Sequence, residues 1–353
     1  MNVFRFLVCF FGGALVFPHQ TEGQQQKGIL TFSGYVEAYY SYDFNRPDNH
    51  EKPPALYNFK RHNEFSVNLA LLSMAYNDGK VRSNVALMAG DYARYNLADE
   101  PTWAQFIYEA SVGVQLWDKL WLDMGVMPSH IGFESAVGMD CWHLTRSLLA
   151  ENSPYFLTGA RFTYSHTEKL DFILWLTNGW QNVQRTHRNQ ALGAGLGVNY
   201  RPMKGMEFNF ANYFGNEYPQ TLNVYRYFNN FYLQYAWDAW GITLGTDYGV
   251  EQKLFSSLFN HWYGLTFSLR RDLTEKTGLA FRAEHYSDTN SVILDTGMRL
   301  SGFSLNLDHR ISEKAMIRVE ARQLQSPEAV FEMPAGKLSK GNTAISTSLA
   351  VKF

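Results

Sequence analysis

Cysteine is nearly absent: Cys9 and Cys141 are the only two in 353 residues, so no disulfide framework holds this fold. An excess of one charge sign is missing as well. With 31 basic and 33 acidic side chains the formal net charge is −2 and the isoelectric point about 6.6. Such a chain lacks the broad positive field that phosphate backbones demand, which excludes nucleic acid as a partner. Long apolar runs are scarce. Residues 6–17 form one, but it falls short of the ~20 residues a spanning helix needs, and no other stretch could cross a membrane as a helix. If this chain meets a bilayer, it does so as a closed sheet. Apolar residues make up 46% of the chain and charged ones 18%, which excludes intrinsic disorder. The 26 Phe, 21 Tyr and 9 Trp coexist with a mean hydropathy of −0.28. Amphipathic rings in quantity without overall hydrophobicity belong at a boundary between water and something apolar.

The beginning of the chain reads as an export signal. Met1 to Arg5 carry one positive charge, the apolar run follows, and Thr21-Glu22-Gly23 supplies small residues for a peptidase. The expectation is a signal peptide over 1–23 and a single outer-membrane β-barrel domain over 24–353. Cys9, between Val8 and Phe10, does not stand where a lipid-attachment cysteine would.

The rest alternates with period two. Phe353, Val351, Leu349, Thr347 and Ile345 share one face, while Lys352, Ala350, Ser348, Ser346 and Ala344 share the other. Leu30, Phe32, Gly34, Val36, Ala38, Tyr40 and Tyr42 oppose Thr31, Ser33, Tyr35, Glu37, Tyr39 and Ser41 in the same way. Both ends are therefore strands, as closure of a barrel requires. Fourteen further segments lie between them, centred near Leu69, Val85, Val112, Leu122, Phe162, Leu174, Leu196, Phe208, Phe231, Leu244, Phe267, Phe281, Leu305 and Val319. Connections alternate between tight turns, such as Asn77-Asp78-Gly79 and Trp237-Asp238-Ala239, and longer loops, such as 43–61, 131–155 and 326–341. This predicts an all-β transmembrane antiparallel up-and-down barrel of about 16 strands, with short periplasmic turns and long extracellular loops. The 353 residues, less the 23 of the leader, allow about 21 per strand with its connection, against the 9–11 a tilted spanning strand uses. Trp117, Trp121, Trp237 and Trp240 at the turns, with Tyr40, Tyr42, Tyr92, Trp180, Phe214, Tyr248 and Tyr286 at the loop ends, predict two aromatic girdles.

The parity opposite to the apolar face carries the charges. Its acids are Glu37, Glu64, Glu109, Asp123, Asp171, Glu207, Asp247, Glu284, Asp308 and Glu320; its bases are Arg82, Arg161, Arg226, Arg270, Arg282, Arg318, Arg322 and Lys352. These are the expected pore-lining residues of a hydrated lumen. Through Asp171 the acids outnumber the bases, whereas from Glu207 onward the bases slightly prevail, which predicts a transverse field and weak ion selectivity. The alternative is that the wall charges pair with one another across strands. Gly193, Gly195 and Gly197 either widen the lumen or let a folded loop lie on the wall. The loop from Ile131 to Tyr155 carries Leu144, Leu148 and Leu149 and a predicted helical passage over 143–151. It is expected to fold into the barrel as a constriction loop that places Glu134, Asp140, Arg146 and Glu151 at the narrowing; the alternative is an outer cap.

Three stretches carry a resemblance: Gly34-Tyr35-Val36-Glu37-Ala38-Tyr39-Tyr40-Ser41-Tyr42-Asp43-Phe44-Asn45-Arg46-Pro47, Gly125-Val126-Met127-Pro128-Ser129-His130-Ile131-Gly132-Phe133-Glu134, and Asn178-Gly179-Trp180-Gln181-Asn182. Over essentially the whole chain beyond the leader, the sequence resembles the OmpL-like β-barrel porin family of Gram-negative bacteria. The resemblance implies an outer-membrane porin and passive diffusion of solutes; Phe353 resembles the C-terminal signal read by the barrel assembly machinery. The expected partners are outer-membrane lipid, small hydrophilic solutes, that machinery, and further copies of the chain as a homo-oligomer.

Catalytic and metal readings carry little weight. His130 with Glu134, and His143 near Asp140, offer two ligands each where a metal needs three or four. Asp43 to Asp48 begins like a calcium loop but lacks its glycine and terminal glutamate. Cys141 reads as a buried loop thiol. The sequence calls for no cofactor, no metal and no enzyme activity. A barrel lipase would need serine and histidine together on the lipid-facing wall, and an adhesin or binding protein would work through its loops with the lumen blocked.

Overall fold

The computed structural model describes residues 28–294 and 296–353; the expected leader at 1–23 lies outside them. The strands are β1 (Ile29–Asp43), β2 (Phe65–Asn77), β3 (Val81–Ala89), β4 (Ile107–Trp117), β5 (Leu120–Pro128), β6 (Phe156–Thr167), β7 (Leu170–Thr177) and β8 (Gly193–Tyr200). They continue as β9 (Met206–Gly215), β10 (Arg226–Trp237), β11 (Trp240–Gln252), β12 (Phe259–Asp272), β13 (Thr277–Asp288), β14 (Met298–Ser312) and β15 (Ala315–Gln325). A small hairpin of β16 (Phe331–Glu332) and β17 (Leu338–Ser339) precedes β18 (Gly341–Lys352). Setting the hairpin aside, sixteen antiparallel strands close on themselves, each beside its chain neighbour, and β18 pairs with β1 from Tyr35↔Lys352 to Asp43↔Ala344. Two further hydrogen bonds fasten this seam: Gly34 N–H to the Phe353 carbonyl at 2.8 Å, and Phe353 N–H to the Gly34 carbonyl at 3.0 Å.

The alternation of the sequence becomes a two-faced wall. On β18, Ile345, Leu349 and Val351 lie on the outer surface, while Ala344, Ser346, Ser348 and Ala350 are buried inside. The same pattern runs through β14 and β15. The outer face keeps charge away from hydrocarbon, where each would cost about 2–4 kcal/mol at mid-depth. One parity change interrupts β2. Glu37 opposes Leu69 and Ala38 opposes Val67, so Asn68 is bulged and both Asn68 and Leu69 are buried in the interior.

Short turns occupy one rim and long loops the other. At the turn rim Trp117 and Trp237 are exposed, and Arg271 packs on Trp240 with its guanidinium 4.5 Å from the ring centre. Phe214 and Tyr248 are exposed near the loop rim. Four expected girdle residues instead face inward. Trp121 shares the parity of Asp123 and lies under Arg82, 4.1 Å from its guanidinium; Tyr92, Trp180 and Tyr286 pack within interior aromatic clusters. For Tyr92 and Trp180 the reason is their position on loops that turn inward, where strand parity no longer applies.

Helix is sparse and differs from expectation. The passage predicted over 143–151 is helical only at α2 (Leu148–Glu151), N-capped by the Ser147 hydroxyl, which accepts from Ala150 N–H at 3.3 Å. Residues 143–147 before it form bends and irregular chain because wall side chains take their backbone groups. A helix the sequence did not announce, α1 (Asp91–Asn96), follows β3, where Gly90 at φ 121° turns the chain out of the sheet.

The lumen as candidate functional site

The long loop between β5 and β6 enters the barrel and lies along the inner wall of β13, β14 and β15. Its backbone is met step by step by charged and amide side chains. Arg318 donates to the carbonyls of Gly138 at 2.7 Å and Cys141 at 2.9 Å. Asn306 receives Leu144 N–H at 3.0 Å and donates to the Trp142 carbonyl at 3.2 Å. Glu320 accepts from the Thr145 N–H and hydroxyl at 2.7 and 2.6 Å. Arg282 donates to the Thr145 carbonyl at 2.8 Å, Arg322 to the Arg146 carbonyl at 3.0 Å, and Glu284 accepts from Leu148 N–H at 2.7 Å. Irregular backbone deep in a barrel survives only when its polar groups are met in this way.

These wall groups also pair with one another. Arg318 bonds Asp308 at 2.7 Å, Arg322 bonds Glu284 at 2.6 Å, Arg282 reaches Glu320 at 3.1 Å, and Arg270 joins Asp308 and Asp272 at 3.0 Å each. Arg226 pairs with Glu251 at 2.7 Å, Asp247 with Asn230 at 2.6 Å, and Glu37 accepts from Tyr35 and Ser348 at 2.9 Å each. Arg282, Arg318, Glu320, Asp308, Glu37 and Asp247 are at most 1% exposed. The inference that these charges need water is therefore corrected for this half of the barrel. They are dry, and their solvent is the folded loop together with each other; strand parity fixes which face a side chain takes but not what fills the space it faces.

The other half differs. On β3 to β9 the inward charges other than the buried Asp123 are only partly covered. Arg82 grips Asp123 with two bonds of 2.5 and 2.6 Å, and Arg161 reaches the same carboxylate at 3.3 Å. Arg201 bonds Asp171 and lies 3.7 Å from Glu207, which also accepts from the Tyr232 hydroxyl. Glu109 accepts from Asn84 at 3.0 Å. Between this wall and the loop lies a cavity of about 330 Å³, lined among others by Tyr108, Phe133, Glu134, Glu207, Tyr232 and Gln234. A cavity of about 220 Å³ lies toward the long-loop rim, around Tyr95, Glu151, Asn152 and Trp180. A third of about 260 Å³ lies at the turn rim, around Asp140, Trp142, Asp238 and Arg270.

The four expected constriction residues are not gathered at one level. Arg146, fully buried, donates to the carbonyls of Ser135, Ala136, His143 and Leu144 and so staples the loop to itself. Glu134 accepts from the Ser147 N–H and hydroxyl and borders the middle cavity. Asp140 lies near the turn rim, paired with Lys352, and Glu151 lies beneath the 44–64 loop, accepting from Tyr57 N–H at 2.8 Å. Glu64 is no wall residue: it precedes β2 and pairs with Arg61 at 2.5 Å. The small side of β8 makes room rather than widening the lumen, because a Cβ on Gly195 would stand 2.8 Å from His130 Cε1. His130 hydrogen-bonds the Asn212 carbonyl at 3.0 Å, so it and Glu134 have separate partners. Asp43 is held by Asn342 and Asp48 accepts from Ala335 N–H, so that stretch converges on no common point. Cys141 is buried, with its thiol 3.3 Å from the Ser135 carbonyl. Arg201, Tyr108, Tyr232 and Gln234 escaped the sequence reading. Arg201 was hidden by its place in a turn, and the others carry no charge to mark them.

The family model described as "Putative beta-barrel porin-2, OmpL-like" matches residues 29–353. No curated protein matches the chain. Among solved structures, an anion-selective porin from Comamonas acidovorans is similar at 9% identity and a TM-score of 0.63, covering 93% of this chain and 100% of that one. Salmonella typhi OmpF in complex with daunomycin is similar at 9% identity and 0.61, covering 92% and 97%. In-vitro folded OmpT of Vibrio cholerae, in its trimer form, is similar at 9% identity and 0.59, covering 92% and 99%.

Proposed function

The chain belongs to the OmpL-like beta-barrel porin-2 family, and on that footing we propose that it is an outer-membrane porin through which small hydrophilic solutes diffuse down their gradients. The observation that carries the reading is the division of the lumen: one wall is sealed by the inserted loop, while on the side of β3 to β9 a cavity bordered by Glu207 remains and Arg82, Arg161, Asp171 and Arg201 stay part-exposed. A conducting path would run along this second wall, with Arg82, Asp123, Arg161, Asp171, Arg201 and Glu207 beside it. Partially hydrated charges of both signs suit weak ion selectivity. The remaining charges of the lumen serve the loop. Residues 1–23 would direct export, the outer wall would contact lipid, and Phe353 would be read by the assembly machinery. A homo-oligomer is part of the proposal, in line with a neighbour described in a trimer form. No enzyme activity is proposed.

Planar-bilayer recording tests this. Discrete open-channel steps, together with size-graded sugar entry into liposomes, are the expected result. A protein that inserts but never conducts would favour the loop-borne binding role.

A further inference from the structure

The middle cavity, about 330 Å³, reaches the size of small-molecule sites, which run from about 300 to 1,000 Å³. Two separate groups of rings line it. In one, Tyr92 of α1 stands 6.3 Å from Tyr108 of β4 and 5.4 Å from Tyr155, ring centre to ring centre. In the other, Phe133 of the inserted loop and Tyr232 of β10 stand 5.7 Å apart. The Tyr92 hydroxyl is the group that the fold leaves unused. Its residue is 2% exposed, yet the oxygen bonds no described residue and stays open to the cavity, whereas the unpartnered Tyr286 hydroxyl is sealed in protein. Whatever occupies the cavity has to meet that hydroxyl.

Charge narrows the choice of occupant. The only charged lining residues are Glu134 and Glu207, and each already has its counter-charge. Glu134 accepts from the Ser147 N–H and hydroxyl and lies 3.8 Å from Arg282. Glu207 accepts from the Tyr232 hydroxyl through one oxygen; the other takes no hydrogen bond from a described residue and lies 3.7 Å from Arg201. An organic cation would have to compete with those arginines, and an anion would find no lysine, arginine or histidine in the lining. What remains on offer is apolar ring faces, a free hydroxyl and a free acceptor oxygen. A neutral solute with C–H faces and hydroxyl edges answers all three, and a pyranose has that form.

We propose that the middle cavity is a saccharide subsite, in which a neutral pyranose packs its C–H faces on the two ring groups while its hydroxyls meet the Tyr92 hydroxyl and Glu207 Oε2. The proposal rests on the porin reading and names the class of solute that the path favours.

Cellobiose and sorbitol are the probes, added to the full chain in a planar bilayer at matched viscosity. Equatorial hydroxyls leave both faces of each cellobiose ring to C–H groups; sorbitol carries hydroxyls without a ring. Cellobiose is expected to interrupt the single-channel current saturably, and sorbitol is not. Tyr92→Phe keeps the ring packing and removes only a hydroxyl that bonds nothing in the fold, so it should raise the half-blocking concentration about fivefold, the worth of one hydrogen bond. Phe133→Leu should raise it by a similar factor through the loss of a ring face. Equal interruption by both probes, or the same half-blocking concentration in Tyr92→Phe and the parent, overturns the proposal. Saturation-transfer NMR of cellobiose with the barrel in deuterated detergent separates two failures. Transfer that weakens in Tyr92→Phe while the bilayer stays silent keeps the subsite and removes the porin reading; current without transfer does the reverse.

Discussion

Arg318 shows how far a single side chain can be committed. It is fully buried, bonds both oxygens of Asp308 at 2.7 and 3.3 Å, and holds two loop carbonyls. Arg318→Ala would leave the buried Asp308 to Arg270 and Asn306 alone and two loop carbonyls without their donor, at a cost of about 1–3 kcal/mol for each buried group left unmet. The check is the urea midpoint of the folded barrel in detergent, which should fall. The sequence made Arg318 and Arg322 look like selectors of the passing ion. Their partners predict otherwise: Arg318→Glu with Arg322→Glu should release the loop and raise the conductance in bilayers, with a change in ion preference only secondary. Lys52 and Lys60, in the 44–64 loop, make a pH-dependent case. Burial pushes each ammonium down to about 8, against about 10.4 when the loop opens. Between those values the opened loop binds more protons than the closed one, so closure strengthens as pH rises from about 8 to 10 and gains nothing below 8. Amide exchange of residues 44–64, corrected for intrinsic rates, should show rising protection over that window, and Lys52→Met should flatten it.

At the scale of elements, the sixteen strands were legible because alternation is a demand of the bilayer itself, repeated at every segment. The inserted loop was legible in part. Leu144, Leu148 and Leu149 announce a segment that will not stay in water, and all three are buried. Its conformation was not legible, since local propensity favours a helix over 143–151 whereas Glu320, Arg282 and Arg322 claim the backbone of residues 145–146. A helix there would need those same N–H and carbonyl groups. The charges were assigned to the right face for the wrong solvent, because nothing in strand parity reveals that a distant loop fills one side of the lumen. Replacing residues 139–147 by a short Gly-Ser linker should therefore enlarge the unitary conductance severalfold. It should also lower stability, as the six buried groups of β13 to β15 would then need water. An unchanged conductance would place the narrowing elsewhere.

For the molecule as a whole, the outward face is the testable surface. A bimane placed at Leu349→Cys should be quenched by brominated lipid, and one at Ser348→Cys should not, since Leu349 is 49% exposed and Ser348 3%. Porins of 9% identity share this architecture, so the constraint lies in periodicity and closure and leaves individual residues free. The seam between β1 and β18 has a kinetic corollary. Ser41 and Ser346 touch across it at 2.7 Å, 305 positions apart in the chain, whereas every other strand meets its immediate predecessor or, at β15 and β18, one lying just beyond a small hairpin. Among the strand ladders, the one long-range closure is thus concentrated in a single seam. Cylinder completion becomes a discrete late event, preceded by a curled ribbon with two unsatisfied edges. Crowding that ladder, as Gly34→Val would by driving its Cβ into the Phe353 ring 2.3 Å away, should delay maturation in refolding time courses far more than it alters the finished barrel.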